Sequence, residues 1–227
     1  MLETLLLNFL FLLIPVLIFL IFFEHRPHSN NKFVLVLLSA VTMILCITMP
    51  IKIKLGFIID LRYIPFIIVA LYGGYKAVWP LYILLNLYRF YVGGEGTFQS
   101  FLFSTTIFIL IPLFNRRFIK LSSKKRVLFA GFVCSLIACI YLTSLSTFFN
   151  SLNSEFWYVG LLTFITNVGA MLIIMILIEQ IIANIKNREQ FVHSERLNVV
   201  SELSASVSHE IRNPLTVTSG FLQLLKQ

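Results

Sequence analysis

Trp157–Ile182, WYVGLLTFITNVGAMLIIMILIEQII, is the stretch on which the fold turns. A helix rises about 1.5 Å per residue and the hydrocarbon core of a bilayer is about 30 Å thick, so about 20 apolar residues cross it. This run is long enough. Six more apolar runs precede it, at 4–23, 33–50, 55–72, 76–92, 98–114 and 127–149. In lipid every backbone N–H and C=O must be satisfied within the protein, which makes the helix the default spanning element. The expected fold is all-α: a polytopic membrane helix bundle of about six to seven spans, followed by one long cytoplasmic helix.

Composition supports this. The 227 residues are 58% hydrophobic and 12% charged, with a mean hydropathy of +0.90. A soluble domain carries about twice that charged fraction. A disordered chain needs low hydrophobicity and high charge. The net charge of +8 sits mostly in short loops between apolar runs, where it reads as a topology signal. No nucleic-acid motif accompanies it, so no nucleic-acid partner is expected. Cys46, Cys134 and Cys139 lie inside apolar runs and fit no metal spacing. Run 4–23 has no basic region before it and no small-residue cleavage site before Glu24, and reads as a retained helix.

The third, fourth and fifth runs are short. Two of them flank Tyr72-Gly73-Gly74-Tyr75, so 55–92 reads as a hairpin of short or broken helices. The expected count is seven spans, with six or five full spans as alternatives. Residues 115–126 hold Arg116, Arg117, Lys120, Lys124, Lys125 and Arg126 and no acid, whereas 150–156 holds Glu155 and no base. The positive-inside rule then puts the C-terminus in the cytoplasm and, with seven spans, the N-terminus outside. Lys52 and Lys54 fall outside on that count, against the rule. Trp79, Trp157 and Tyr158 stand at run ends and read as interfacial anchors.

Composition changes once, near residue 183. The remainder, ANIKNREQFVHSERLNVVSELSASVSHEIRNPLTVTSGFLQLLKQ, is a cytoplasmic tail. Val192, Val199, Leu203, Val207 and Ile211 recur at helical spacing and form one narrow apolar stripe. Such a stripe beside a charged face suits a partner helix, that of a second chain, with a helix lying on the membrane surface as the alternative. His209 is two residues from both Val207 and Ile211, about 200° around the helix, and points away from the stripe. Glu210 follows it, Asn213 stands one turn on, and Pro214 removes the partner of the Glu210 carbonyl, so a bend is expected there. An exposed neutral imidazole beside a carboxylate can attack a phosphoryl group, with the carboxylate taking the ring proton. An ordinary surface histidine is the plainer alternative.

Ser208-His209-Glu210-Ile211-Arg212-Asn213-Pro214-Leu215-Thr216 resembles the H-box of two-component sensor histidine kinases. His193-Ser194-Glu195-Arg196-Leu197 and Val200-Ser201-Glu202-Leu203 resemble that family's run-in helix. More narrowly, the tail and the many-helix amino half are similar to sporulation kinase B-type sensors of bacilli. The resemblance implies that His209 is the phosphoacceptor and Glu210 its acid/base partner. It further implies that Asn213 positions water for phosphatase action and that Pro214 supplies a bend. The tail would be the first helix of a dimerisation hairpin, and the sequence stops 18 residues after His209. The family's ATP and Mg2+ imply a catalytic domain, but the 45 tail residues show no Asn-rich box or glycine lid and are too few for a domain of about 100–150 residues. The expected organisation is 1–182 a transmembrane sensor domain, 183–200 a signalling linker helix and 201–227 a truncated phosphoacceptor helix. Implied partners are a second copy, a response regulator, the lipid bilayer of the plasma membrane and an accessory lipoprotein.

Ionisable residues in apolar runs are costly and count as site candidates. Asp60, Arg62 and Arg89 lie about equally far from the Gly73-Gly74 turn, and Glu95 lies just beyond, so a hairpin brings two acids and two bases to one end. A structural ion-pair cluster and a pocket for a polar ligand are both open readings. Asp60-Leu61-Arg62-x-x-Pro65, Leu71-Tyr72-Gly73-Gly74, Tyr88-Arg89 and Gly93-Gly94-x-Gly96 together resemble the five-helix receptor domain of LytS-type sensors, with extra helices that include 4–23. That resemblance implies signal input. The combined expectation is a membrane sensor histidine kinase that phosphorylates His209 and passes the group to a regulator aspartate. A non-catalytic decoy pairing with a full-length kinase and a small transporter are the alternatives.

Overall fold

The computed structural model describes residues 2–23, 31–52, 58–94, 96–146 and 154–224. The chain divides into two compact units, Met1–Gln180 and Ile181–Gln227. Its helices are α1 (Leu2–Phe23), α2 (Asn31–Thr48), α3 (Tyr63–Val92), α4 (Thr97–Leu110), α5 (Asn115–Ile119), α6 (Ser123–Ser146) and α7 (Ser154–Leu224). A 3-10 turn over Ile111–Phe114 joins α4 to α5, because Pro112 has no N–H to continue the α-helical ladder. The all-α expectation holds. The departure from it is a pair of two-residue antiparallel strands, β1 (Ile51–Lys52) and β2 (Ile58–Ile59), with Ile51 opposite Ile59.

Four helical stretches among the described residues are long and apolar enough to cross a membrane: Tyr63–Val92, Thr97–Ile119, Ser123–Ser144 and Phe156–Ser208. Glu3–Ile18 and Phe33–Thr48 are shorter apolar helices. The seven runs therefore map onto six helical stretches. The run placed at 55–72 needs correcting: helix begins only at Tyr63, and Ile58–Ile59 is extended. β-Branched isoleucines favour strand, and Pro65 suits the first turn of a helix, so the sequence itself carries this boundary. The fourth run is the second arm of the same helix.

Gly74 (φ 64, ψ −163) is the non-helical residue that kinks α3 into two arms. Partners along α4 and α5 show the arms turning back on each other. Tyr63 on the first arm meets Ser100, and Asn115 reaches the Leu71 carbonyl. On the second arm Tyr75 bonds the Ile109 carbonyl, Tyr82 meets Thr105 and Asn86 meets Ser104. The first arm forms the centre of the first unit: Ile64, Phe66, Ile67, Val69, Ala70 and Leu71 are all at most 1% exposed. It is surrounded by protein rather than lipid. Leu6, Leu10, Phe33, Leu128 and Phe132 face outward, as an apolar solvent allows. Hydroxyl groups within the spans bond their own helix one turn back, as Thr105 does to Phe101, Thr143 to Cys139 and Thr163 to Val159. That satisfies each without a neighbour.

The basic stretch 115–126 is mostly helix rather than loop, with α5 and the start of α6 separated by a short turn. In the second unit α7 continues as a single helix to Leu224. The predicted stripe residues Val192, Val199, Leu203, Val207 and Ile211 are exposed along it.

Candidate functional site

The first site is built on the extended leg that enters α3. Asp60 Oδ1 accepts the backbone N–H of Arg62 at 3.1 Å and its Nε–H at 2.8 Å, so the carboxylate fixes the turn that precedes the helix and pairs with the guanidinium. An acid at this position also faces the positive end of the helix. Arg89 comes from the second arm. Its backbone carbonyl receives the Gly93 N–H at 3.0 Å, and its Nη1 donates to the Gly93 carbonyl at 2.6 Å. Gly93 has the same conformation as Gly74 (φ 70, ψ −164), a region open essentially to glycine, so the chain leaves each arm in the same way.

The hairpin brings Arg89 close enough to Asp60 and Arg62 for direct electrostatic coupling. The three are 6%, 3% and 2% exposed for Asp60, Arg62 and Arg89. Three of the four residues predicted to cluster do so; Glu95 lies outside the described residues. Asp60 and Arg62 stand on the non-helical leg, not on a spanning helix as the depth argument supposed. Among the described residues Asp60 Oδ2, Arg62 Nη1 and Arg89 Nε are buried without a hydrogen-bond partner. Buried polar atoms of this kind are rare and call for an explanation.

Asp60 and Arg62 open onto a cleft between α3, α4, α6 and α7, also lined by Tyr63, Tyr141, Thr163 and Asn167. The Arg62 guanidinium lies 5.4 Å from the centre of the Tyr63 ring, and Tyr63 shares a 3.1 Å hydrogen bond with Ser100. Sequence reasoning passed over the Tyr141, Thr163 and Asn167 contribution. Their polarity within apolar runs was the available signal.

At the other end of the first unit Asn115 Nδ2 donates to the Leu71 carbonyl at 2.6 Å, the group left unpaired by the break at Gly74. Close by, Tyr72 donates to Glu179 Oε1, and Arg126 Nη2 lies 3.2 Å from Glu179 Oε2. This second cluster was also missed. Glu179 is an acid in an apolar run and met the same test that selected Asp60.

His209, Glu210, Asn213 and Pro214 lie within α7, and their side chains are outside what the structure describes. No group of three or more His, Cys, Asp or Glu side chains able to hold a metal is found among the described residues.

Comparison with known proteins divides the chain at the same place. Residues 14–181 match the family described as 5TMR of 5TMR-LYT. Residues 199–227 match the His Kinase A (phospho-acceptor) domain. Sporulation kinase B of Bacillus subtilis (strain 168) is 31% identical over 237 residues, covering 99% of this chain and 55% of that protein. Sensor protein DegM of Bacillus sp. (strain B21-2) is 32% identical over 175 residues, covering 74% of this chain and 46% of that protein. The chain thus spans about half the length of these curated relatives. No solved structure matches it.

Proposed function

The chain belongs to the 5TMR of 5TMR-LYT family, and from that membership we propose that it is the membrane-input and phosphoacceptor portion of a sensor histidine kinase. The observation that carries this reading is α7: a single helix that leaves the membrane unit and enters the phospho-acceptor match at residue 199. His209 receives the γ-phosphoryl group on a ring nitrogen while Glu210 accepts the ring proton and ADP leaves. The group then passes to an aspartate of a response regulator. Asn213 orients water for phosphatase action, in which water cleaves the aspartyl phosphate and inorganic phosphate leaves, and Pro214 gives the helix its bend.

ATP and Mg2+ are assigned to a catalytic domain of the histidine-kinase kind, following the phospho-acceptor match. The working form is a homodimer paired through the exposed stripe of α7, in the plasma membrane, with the C-terminus cytoplasmic. Asp60, Arg62 and Arg89 form the sensing cluster, and the cleft they border takes a polar ligand, delivered directly or by an accessory lipoprotein. Three buried polar atoms without partners support a ligand over a purely structural ion pair.

The test is transfer of label from radioactive ATP to the chain in membranes, with a soluble histidine-kinase catalytic domain supplied in trans. Acid-labile label is expected on the parent and not on His209→Gln. Equal labelling of both would remove His209 from the mechanism, and no label on either would remove the phosphoacceptor reading.

A further inference from the structure

Three polar side chains from three helices meet at the end of the first unit opposite the Asp60 cluster. Tyr72, two residues before the Gly74 break, donates its hydroxyl to Glu179. Glu179, near the end of the apolar part of α7, has a side chain only 5% exposed. Arg126 closes the cluster from the first turns of α6. It belongs to the basic stretch 115–126, yet the other five basic residues there are exposed while Arg126 is partly buried against the acid.

Packing does not demand an acid at position 179. Met171, Ile174 and Met175, on the preceding turns of the same helix, are buried and apolar. A leucine or methionine would continue that surface without desolvating a charge. A buried charged group costs stability compared with an apolar one, and its best-attested use is to fix register between elements. The hold is also incomplete. Glu179 Oε2 and Arg126 Nε make no hydrogen bond, so the pair rests on charge attraction and on the bonds of the Tyr72 hydroxyl. A half-satisfied network is weaker than a complete one, and a modest input can release it.

The connections on either side suit a coupling device. The first arm of α3 starts beside the Asp60–Arg62 pair and ends at Tyr72–Gly74, and it is packed on all sides. A close-packed helix moves as a body, so a shift at its start reaches Tyr72. Beyond Glu179, α7 runs unbroken to His209, thirty residues further along the chain.

We propose that Glu179 is a positioning residue for the phosphoacceptor helix. Its contacts with Tyr72 and Arg126 hold α7 in one rotational setting, and their release gives the second setting. The proposal rests on the reading of α7 as a helix paired between two copies.

The experiment uses the whole protein in its membrane, with Cys46, Cys134 and Cys139 replaced by serine and single cysteines placed one at a time from 197 to 208. Disulfide cross-linking between copies is the readout. The parent is expected to cross-link with maxima every three to four residues. Glu179→Ala and Tyr72→Phe are each expected to move the maxima by one to two positions, and the exchanged pair R126E/E179R to move them back. Tyr72→Phe removes one bond and opens no cavity, so it reads the same effect should Glu179→Ala not reach the membrane. A periodic parent pattern with maxima unmoved in the variants overturns the proposal and leaves the paired helix standing. A shift that the exchanged pair does not reverse assigns the effect to packing and overturns it as well. A parent without periodic cross-linking overturns the paired helix and the proposal together.

Discussion

Asp60 serves two structural demands at once: it fixes the turn before α3 and neutralises a buried guanidinium. Removing one member of a buried ion pair leaves the other charge without compensation, at a cost of about 3–5 kcal/mol, while apolar replacement of both is often neutral. Asp60→Leu is therefore expected to lower the thermal midpoint of the detergent-solubilised protein sharply. The double variant D60L/R62M is expected to recover much of the loss, apart from the turn bond to the Arg62 N–H. Circular dichroism at 222 nm during heating measures both. Equal midpoints for the single and double variants would show that the ion pair is not what the single variant lost. Arg89 differs from Arg62 in that its own bond is to the Gly93 carbonyl. Its contribution is tied to the exit from the hairpin as much as to the cluster.

At the scale of the element, the kinked helix α3 sets where everything else lies. Gly74 occupies a backbone region that costs a side-chain-bearing residue about 1–3 kcal/mol. A Cβ there would make only an ordinary contact with Asn115 at 3.4 Å, and one at Gly93 meets nothing within 4 Å, so the backbone is what requires glycine at both. Gly74→Ala and Gly93→Ala are therefore each expected to lower the thermal midpoint through the same backbone penalty, and equal midpoints for parent and variants would remove that penalty. Gly73 is needed for a different reason, since its Cβ would overlap that of Ala77 across the kink. At Gly131 on α6 a Cβ would lie 2.7 Å from Leu172 on α7, so these two helices approach through a small residue, as is common in membranes. The sequence flagged the Gly73-Gly74 pair as a break, and the structure gives each glycine its separate task.

For the molecule as a whole, the first unit has polar clusters at both ends and an apolar centre. Asp60, Arg62 and Arg89 mark one end, and Tyr72, Arg126 and Glu179 the other. The exposed basic residues Arg116, Arg117, Lys120, Lys124 and Lys125 belong to the second end. On the proposed orientation, which follows the positive-inside rule, that end is the cytoplasmic one. A single cysteine at Lys120 in a cysteine-free background is expected to react with a membrane-impermeant maleimide in inside-out vesicles and not in right-side-out ones. The opposite pattern would reverse the assigned orientation and place His209 on the wrong side of the membrane for a cytoplasmic nucleotide.

The helical membrane class, the break at Gly73-Gly74 and the phospho-acceptor stretch were all legible in the residues. Each depends on neighbours close along the chain: apolar run length, glycine, or a continuous motif. The meeting of Asp60, Arg62 and Arg89 was legible too, because a hairpin about a known turn fixes which residues share a depth. The extended leg before Tyr63 was carried by the β-branched Ile58 and Ile59 and by Pro65, signals that hydropathy does not report. The cleft with Tyr141, Thr163 and Asn167, and the joining of Tyr72, Arg126 and Glu179, were decided by the tertiary structure alone. In an apolar run every face of a helix carries similar side chains, so periodicity does not say which face meets which neighbour. Close packing, together with the need to satisfy each buried polar group, settles that choice.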